Sequence, residues 1–397
     1  MAGSAPYFNP WDPEFRANPY PHYSALLSGP PPLVTLGPVH AVLVARYADV
    51  SAAMRDHQNF SSVPPPPAPG AFQPFGDSRD LLGQDPPEHT RLRRLISREF
   101  TPRRIRDLEP RIRQIARELI DDAATRGEFD VMADLANVLP VMVIAEMLGV
   151  PSDKYATFKD WSDRIVDAGN SATVAPPPDA ISAFMSLISY FVEEVARRRK
   201  EPGPDLVSAL IAARDQADAL SEPALLQFIV LLLLAGNETT TNLIGNGSLA
   251  LLRHPDQFEL LRREPELLPR AIEEMLRFDP PVQSTGRFPK NPVSLGGVEI
   301  PAGAVAFMIL AAANRDPAKF PDPERFDIAR EPNEHLSFGE GVHFCIGAPL
   351  ARLEARIVFE EMLRRCPHLE LAKPGETLSY KGSYFLRGLE SLKVTCR

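Results

Sequence analysis

Apolar positions along this chain follow two periods. Ile105, Leu108, Ile112, Ile115 and Leu119 recur at three- and four-residue spacing, the stripe of an amphipathic helix. Thr101-Pro102 gives that helix an N-cap and a first-turn proline. The helical pattern spans 89–149. A second amphipathic helix over 180–200 ends in Arg197-Arg198-Arg199-Lys200, cations that suit a helix C-terminus. Residues 47–56, 265–278 and 348–365 predict further helices. Period-two and β-branched runs predict strands over 39–45, 293–300 and 304–309, the last two flanking Pro301-Ala302-Gly303 like a hairpin. Residues 380–395 alternate around Gly382 and Gly388 as another hairpin would. Between them lie Pro- and Gly-punctuated loops over 61–87 and 318–344. A loop as long as the first is uncommon in a compact domain and usually functional.

The central element runs over 221–253. Ser221 caps it, Pro223 sits in its first turn, and His254-Pro255 ends it. At 1.5 Å per residue this is a rod of roughly 48 Å. Its first half is apolar nearly all round and must run through the core. Its middle breaks that rule with Ala235-Gly236-Asn237-Glu238-Thr239-Thr240-Thr241. A carboxylate and three hydroxyls in a buried rod need a chemical reason, because burial costs free energy.

Composition narrows the classes. The 397 residues hold 43 Lys and Arg against 52 Asp and Glu, a net charge of −9 that is poorly suited to wrapping nucleic acid. A hydrophobic share of 44% excludes disorder over the whole length. The 42 prolines are about twice the usual ~5% and cluster at 30–32, 64–67 and 176–178, so they read as stiff loops. Cys345, Cys366 and Cys396 lie on separate segments, which excludes a disulfide scaffold and a zinc ribbon. The first residues carry no basic and apolar leader, and the longest apolar run, 228–236, is about half a bilayer span. The expectation is one domain over 1–397 in the cytoplasm, without a membrane anchor.

The strongest chemical signal is Phe338-Gly339-Glu340-Gly341-Val342-His343-Phe344-Cys345-Ile346-Gly347. A lone cysteine is ordinarily a small core hydrophobe. Here three glycines let the loop bring its backbone against a flat ligand. A cysteine just before a helix has its thiolate favoured by the dipole and free N–H groups, as suits an anionic metal ligand. The segment Phe-Gly-x-Gly-x-His-x-Cys-x-Gly resembles the cytochrome P450 family. That resemblance makes Cys345 the proximal thiolate of haem b (iron protoporphyrin IX), with Phe338 and Gly347 against the cofactor and His343 on a propionate. A thiolate ligand pushes electron density through iron and favours O–O cleavage.

Four further segments match the family. Glu274-Met275-Leu276-Arg277 and Pro323-Glu324-Arg325-Phe326 imply that Glu274, Arg277 and Arg325 form a buried charge network holding the cysteine loop. An isolated Glu-x-x-Arg is otherwise a surface ion pair of little worth. Ala235-Gly236-Asn237-Glu238-Thr239 matches the distal motif. Ala235 and Thr239 share a helix face, leave room for O₂, and with Glu238 supply a carboxylate and hydroxyl for proton delivery. The competing reading is a helix whose Thr hydroxyls bond back to i−4 carbonyls. Asp85-Pro86-Pro87-Glu88-His89-Thr90-Arg91-Leu92-Arg93 resembles the family's third helix, implying that His89 and Arg93 reach haem propionates, with Arg287 as a third cation. Buried carboxylates need such partners.

The resemblance implies a mainly α cytochrome P450 fold, a large helical domain with a small β subdomain. It implies a monooxygenase that inserts one atom of O₂ into an organic substrate by hydroxylation or epoxidation. No flavin or nicotinamide fingerprint is visible, so electrons come from a separate protein. Residues 89–117 hold ten Arg and no Lys against three acids, and Arg352, Arg356, Arg364 and Arg365 extend that basic face for an acidic ferredoxin. A peroxide-driven member and a haem-thiolate gas sensor remain alternatives. Pocket candidates are Phe72 and Phe75 in the long loop, and Phe228, Leu232 and Ala235 on the central helix. Val282 and Ser284 follow the Glu-x-x-Arg helix, and Tyr384 and Phe385 lie at the C-terminal turn. The set is apolar and aromatic, pointing to a small, mostly apolar molecule, while Arg79 offers a carboxylate anchor. The remaining expectations are a monomer, with no nucleic acid or membrane partner.

Overall fold

The computed structural model describes residues 7–36, 39–66, 75, 80–169, 176–217, 221–381 and 385–396. Helices form most of it. The strands are β1 (Leu33–Leu36), β2 (Val39–Val44), β3 (Phe60–Ser61), β4 (Glu128–Asp130), β5 (Ser284–Pro289), β6 (Val293–Leu295), β7 (Val298–Ile300), β8 (Val305–Ile309), β9 (Leu369–Leu371) and β10 (Lys393–Cys396). Five of them make one sheet in the order β1-β2-β8-β5-β3, with β2 and β8 parallel. Its buried residues, among them Val42, Val44, Ala306 and Met308, pack on the helix Tyr47–Arg55. Helices and a small β region are thus arranged as the sequence predicts.

The central helix is Glu222–Arg253, capped at Ser221, whose Oγ accepts the Ala224 N–H at 3.3 Å. Its composition and length are those of a membrane-crossing helix, yet 61% of its most apolar stretch is buried inside the protein. The polar middle resolves into stripes at i, i+4 spacing. Asn237 donates to Ser162 Oγ at 2.9 Å and Thr241 to the Ala136 carbonyl at 2.8 Å. Asn242 packs against Gly388, and Asn246 donates to the Arg387 carbonyl at 3.1 Å. Ala235 and Thr239 form a third stripe that faces open space. Most of this buried polarity is therefore structural mortar between the rod and its neighbours.

Several expectations change. The predicted helix through Leu108 is two helices, Pro102–Asp107 and Glu109–Ala124. Pro110 has no N–H to continue the first. The turn expected at Pro301–Gly303 is instead at Gly296-Gly297, joining β6 to β7. Both glycines have positive φ, +60° and +84°, as a two-residue hairpin turn requires. β8 leaves that hairpin and enters the five-stranded sheet between β2 and β5. Among the described residues, the C-terminal hairpin shows one bridge between its arms, Tyr380 with Leu389. The chain then continues into β10, which pairs with β4 and β9. β4 itself interrupts the helical region predicted over 89–149. Cys366 and Cys396 are joined as a disulfide that ties the end of the helix Ala348–Arg365 to β10.

Candidate active site

The cysteine loop is shaped by its glycines. Gly341 has φ +69°, and a Cβ there would lie 2.7 Å from the Met54 carbonyl oxygen, so only glycine fits. The loop closes on itself where the Cys345 N–H donates to the Phe338 carbonyl at 2.9 Å. The helix Ala348–Arg365 begins after Gly347 with no side-chain cap. The Gly347 and Ala348 N–H groups point at the Cys345 sulfur instead. Burial pushes the Cys345 thiol up, opposed by those N–H groups and by Arg93 and Arg352. A buried sulfur surrounded by donors and cations is suited to carrying negative charge when a metal compensates it.

Behind the loop stands a dry charge frame. Arg277 binds Glu274 through two contacts, 2.7 and 2.8 Å, and both side chains are 0% exposed. Arg277 also donates to the carbonyls of Asn314, Pro323 and Arg325. The Arg325 side chain itself is 65% exposed, so its expected place in the network is taken by its backbone carbonyl. The second cation on Glu274 is Arg330, at 3.2 Å, with Asn333 donating at 3.1 Å. The sequence reading missed both. One residue earlier, Glu273 receives Arg352 at 2.6 Å and His335 at 3.1 Å, which hold its carboxyl down at about 2. The Arg352 guanidinium also lies 4.4 Å over the Phe338 ring. The loop and its helix are thus pinned to the Glu-x-x-Arg helix, Leu268–Phe278.

The predicted propionate partners converge. His89 and His343 have ring centroids 4.1 Å apart. Arg93 donates to the Phe344 carbonyl at 2.6 Å. Arg287, on β5, is buried and bonds only to Gly286 O and Thr285 Oγ1 among the described residues. His89 is 1% exposed, yet among the described residues neither ring nitrogen has a partner, and His343 Nε2 has none either. Burial and the charge of Arg93 push His89 down to about 4, and burial with repulsion from His89 and Arg287 pushes His343 down to about 3. The nearby carboxylate, Asp85, is already engaged by Ser61, the Ser62 N–H and Lys290. Two histidines with orphaned buried nitrogens, beside two arginines bonded only to carbonyl and hydroxyl oxygens among the described residues, are what a pair of ligand carboxylates would satisfy. The residues therefore fit haem b: Cys345 would hold the iron and these four would bind the propionates.

On the central helix, Ala235 is exposed to open space, and a Cβ on Gly236 would meet nothing nearer than Ile144 at 3.8 Å. Thr239 Oγ1 donates to the Ala235 carbonyl at 2.9 Å, the i−4 bond that competed with a catalytic reading. Glu238 is 4% exposed and pairs with Lys381 at 2.9 Å, a partner the sequence reading did not find. Of the pocket candidates, Phe228 and Leu232 are buried in the main hydrophobic cluster. Phe75 meets Phe184 edge-on at 5.9 Å. Val282 bridges Leu386, the Phe385 carbonyl accepts the Gln283 N–H at 2.7 Å, and Ser284 is buried at the start of β5. Phe72, Arg79 and Tyr384 lie outside the described residues.

The basic face is smaller than the sequence predicts. Arg113, Arg117, Arg356, Arg364 and Arg365 are answered by Glu109, Glu360, Glu361 and Asp121. Arg91 pairs with Glu88, Arg104 with Glu99 and Arg111 with Glu146. Among the described residues, Arg94, Arg98, Arg103 and Arg106 are exposed and carry no ion pair.

Comparison with known proteins agrees with this geometry. The family model for cytochrome P450 matches residues 22–393. Cytochrome P450 107B1 of Saccharopolyspora erythraea is 40% identical over 404 residues, covering 99% of this chain and 98% of that protein. The 6-deoxyerythronolide B hydroxylase of the same organism is 40% identical over 89% of this chain and 90% of its own. The crystal structure of myxobacterial CYP267B1 in complex with myristic acid superposes with a TM-score of 0.90 at 36% identity, covering 98% of both chains. On the family model and these relatives, the chain belongs to the cytochrome P450 family of haem-thiolate monooxygenases.

Proposed function

We propose that this protein hydroxylates or epoxidises a small, mostly apolar organic molecule, drawing electrons from a ferredoxin-type donor in the cytoplasm. The observation that carries the reading is the Cys345 sulfur in its shell of N–H donors beside His89, His343, Arg93 and Arg287, of which the two histidines have buried ring nitrogens with no partner among the described residues. Bound there, haem b would supply the activation of O₂. Cys345 would ligate the iron, and His89, Arg93, Arg287 and His343 would pair with the propionates. Ala235 and Gly236 keep the helix slim beside that site. Thr239 Oγ1, which donates to the Ala235 carbonyl, would turn its hydroxyl to the oxygen being activated, and Glu238 would relay a proton to it from solvent. General acid catalysis of this kind contributes roughly 10²–10⁴-fold. One relative hydroxylates 6-deoxyerythronolide B, and the myxobacterial neighbour holds myristic acid, both in keeping with a mostly apolar substrate.

The test is the reduced, carbon monoxide-bound spectrum. Cys345→His abolishes the red-shifted Soret band that thiolate ligation gives, whereas Cys366→Ser and Cys396→Ser retain it. A thiolate-type spectrum in Cys345→His would overturn the assignment.

A further inference from the structure

Glu238 does not stand alone. Its carboxylate meets the ammonium of Lys381, which arrives from the C-terminal hairpin at the far end of the chain. That meeting is built by the backbone. The Lys381 N–H donates to the Gly388 carbonyl at 3.0 Å, and Tyr380 bridges Leu389. Gly388 in turn lies against Asn242, one helical turn beyond Glu238. A Cβ at 388 would sit 1.8 Å from Asn242 Oδ1. One turn further on, Asn246 holds the Arg387 carbonyl. The hairpin is therefore laid along the 238/242/246 stripe of the central helix, and this register brings Lys381 opposite Glu238.

The surroundings give the lysine a task. Asp167, on the helix Tyr155–Gly169, feels attraction from Lys381 and repulsion from Glu238 and Asp163. Asp163 is itself paired with Lys159 at 2.6 Å. Burial pushes the Asp167 carboxyl up. Remove Lys381, and the Glu238 carboxylate, 4% exposed, loses the ammonium that holds it at 2.9 Å. A buried carboxylate left without its partner is strongly disfavoured and free to reorient.

We propose that Lys381 is a positioning residue for oxygen activation: it fixes the charge and place of the Glu238 carboxylate, and the C-terminal hairpin fixes Lys381. The proposal rests on the reading of Glu238 as the relay that brings protons from solvent. The same hairpin carries Phe385 and touches Val282 through Leu386.

The experiment uses holoenzyme with a surrogate ferredoxin system and a substrate found by spectral shift. Lys381→Met, Glu238→Gln and the double variant are compared for product rate, solvent isotope effect and thermal melting. Lys381→Met slows product formation about tenfold or more and raises the solvent isotope effect, as Glu238→Gln does. In the Glu238→Gln background it adds nothing. Lys381→Arg restores the rate. Melting points show the same non-additivity, a readout independent of turnover. Gly388→Ala, which forces the hairpin off Asn242 without altering either charge, reproduces the isotope effect. If Glu238→Gln is slow but Lys381→Met behaves as the parent, the role of Lys381 is overturned and that of Glu238 stands. If Glu238→Gln itself leaves rate and isotope effect unchanged, the underlying reading of Glu238 fails, and the proposal with it.

Discussion

Glu354 offers a direct measurement of what burying an unpaired acid does to this fold. It lies on the helix that follows the cysteine, is 2% exposed, and its Oε2 meets no donor among the described residues. Burial alone lifts its carboxyl to about 8, from an ordinary 4.5. Between those values the folded chain holds a proton that the unfolded chain has released. Stability contributed by this group is therefore complete below about pH 4.5 and is lost as pH rises towards 8. At about 1.4 kcal/mol per pH unit, the step from pH 6 to pH 8 removes about 2–3 kcal/mol through Glu354 alone. Glu354→Gln keeps the shape and cannot ionise. Urea unfolding of both proteins at pH 6, 7 and 8, followed by circular dichroism and the Soret band together, isolates the difference. Other titrating groups are common to both chains and cancel. The variant gains on the parent steadily as pH rises. Parallel pH dependence in the two would refute the reasoning.

Three more outcomes follow from the site. Glu274→Gln leaves Arg277 buried with carbonyl partners only and loses about 3–5 kcal/mol in unfolding experiments, whereas Arg325→Ala changes stability by no more than about 0.5 kcal/mol. Arg93→Ala and Arg287→Ala each speed haem transfer to a competing apoprotein, and unchanged retention in both counts against propionate binding. Charge reversal at Arg98 or Arg103 slows reduction by ferredoxin at low salt, with the effect fading as charges are screened over ~8–10 Å. Reversal at Arg364, already answered by Glu361, does less, and an equal loss there would restore the wider docking face.

What was legible in the sequence was whatever depends on spacing along one element or on a contiguous motif. The central helix, its Ser221 cap, the cysteine loop and the Glu274–Arg277 pair are of that kind. Long-range pairing was not. Lys381 lies 143 residues from Glu238, and nothing local to Lys381 marks it as a partner. The same holds for Arg330 and Asn333 on Glu274, and for Cys366 with Cys396. The basic face was overestimated because counting charges on one helix omits the acids delivered by another, here Glu360 and Glu361. The misplaced hairpin turn came from weighing Pro301–Gly303 above Gly296-Gly297, although only the latter supplies two positive-φ positions in a row. Proline marks a turn of some kind, whereas adjacent glycines at positive φ specify which one.

The stripes of the central helix make it intolerant of length change. Each residue inserted or deleted rotates everything beyond it by about 100° and shifts it 1.5 Å along the axis. An alteration between Glu238 and Asn246 would turn Asn246 away from the Arg387 carbonyl while leaving Glu238 facing Lys381. An alteration before Ala235 would have to be absorbed by the largely apolar first half, where one buried face can replace another. The rod thus tolerates a change of length near its N-terminus better than in its middle, where the residue count from 235 to 246 has to stay fixed for the stripes to meet their partners.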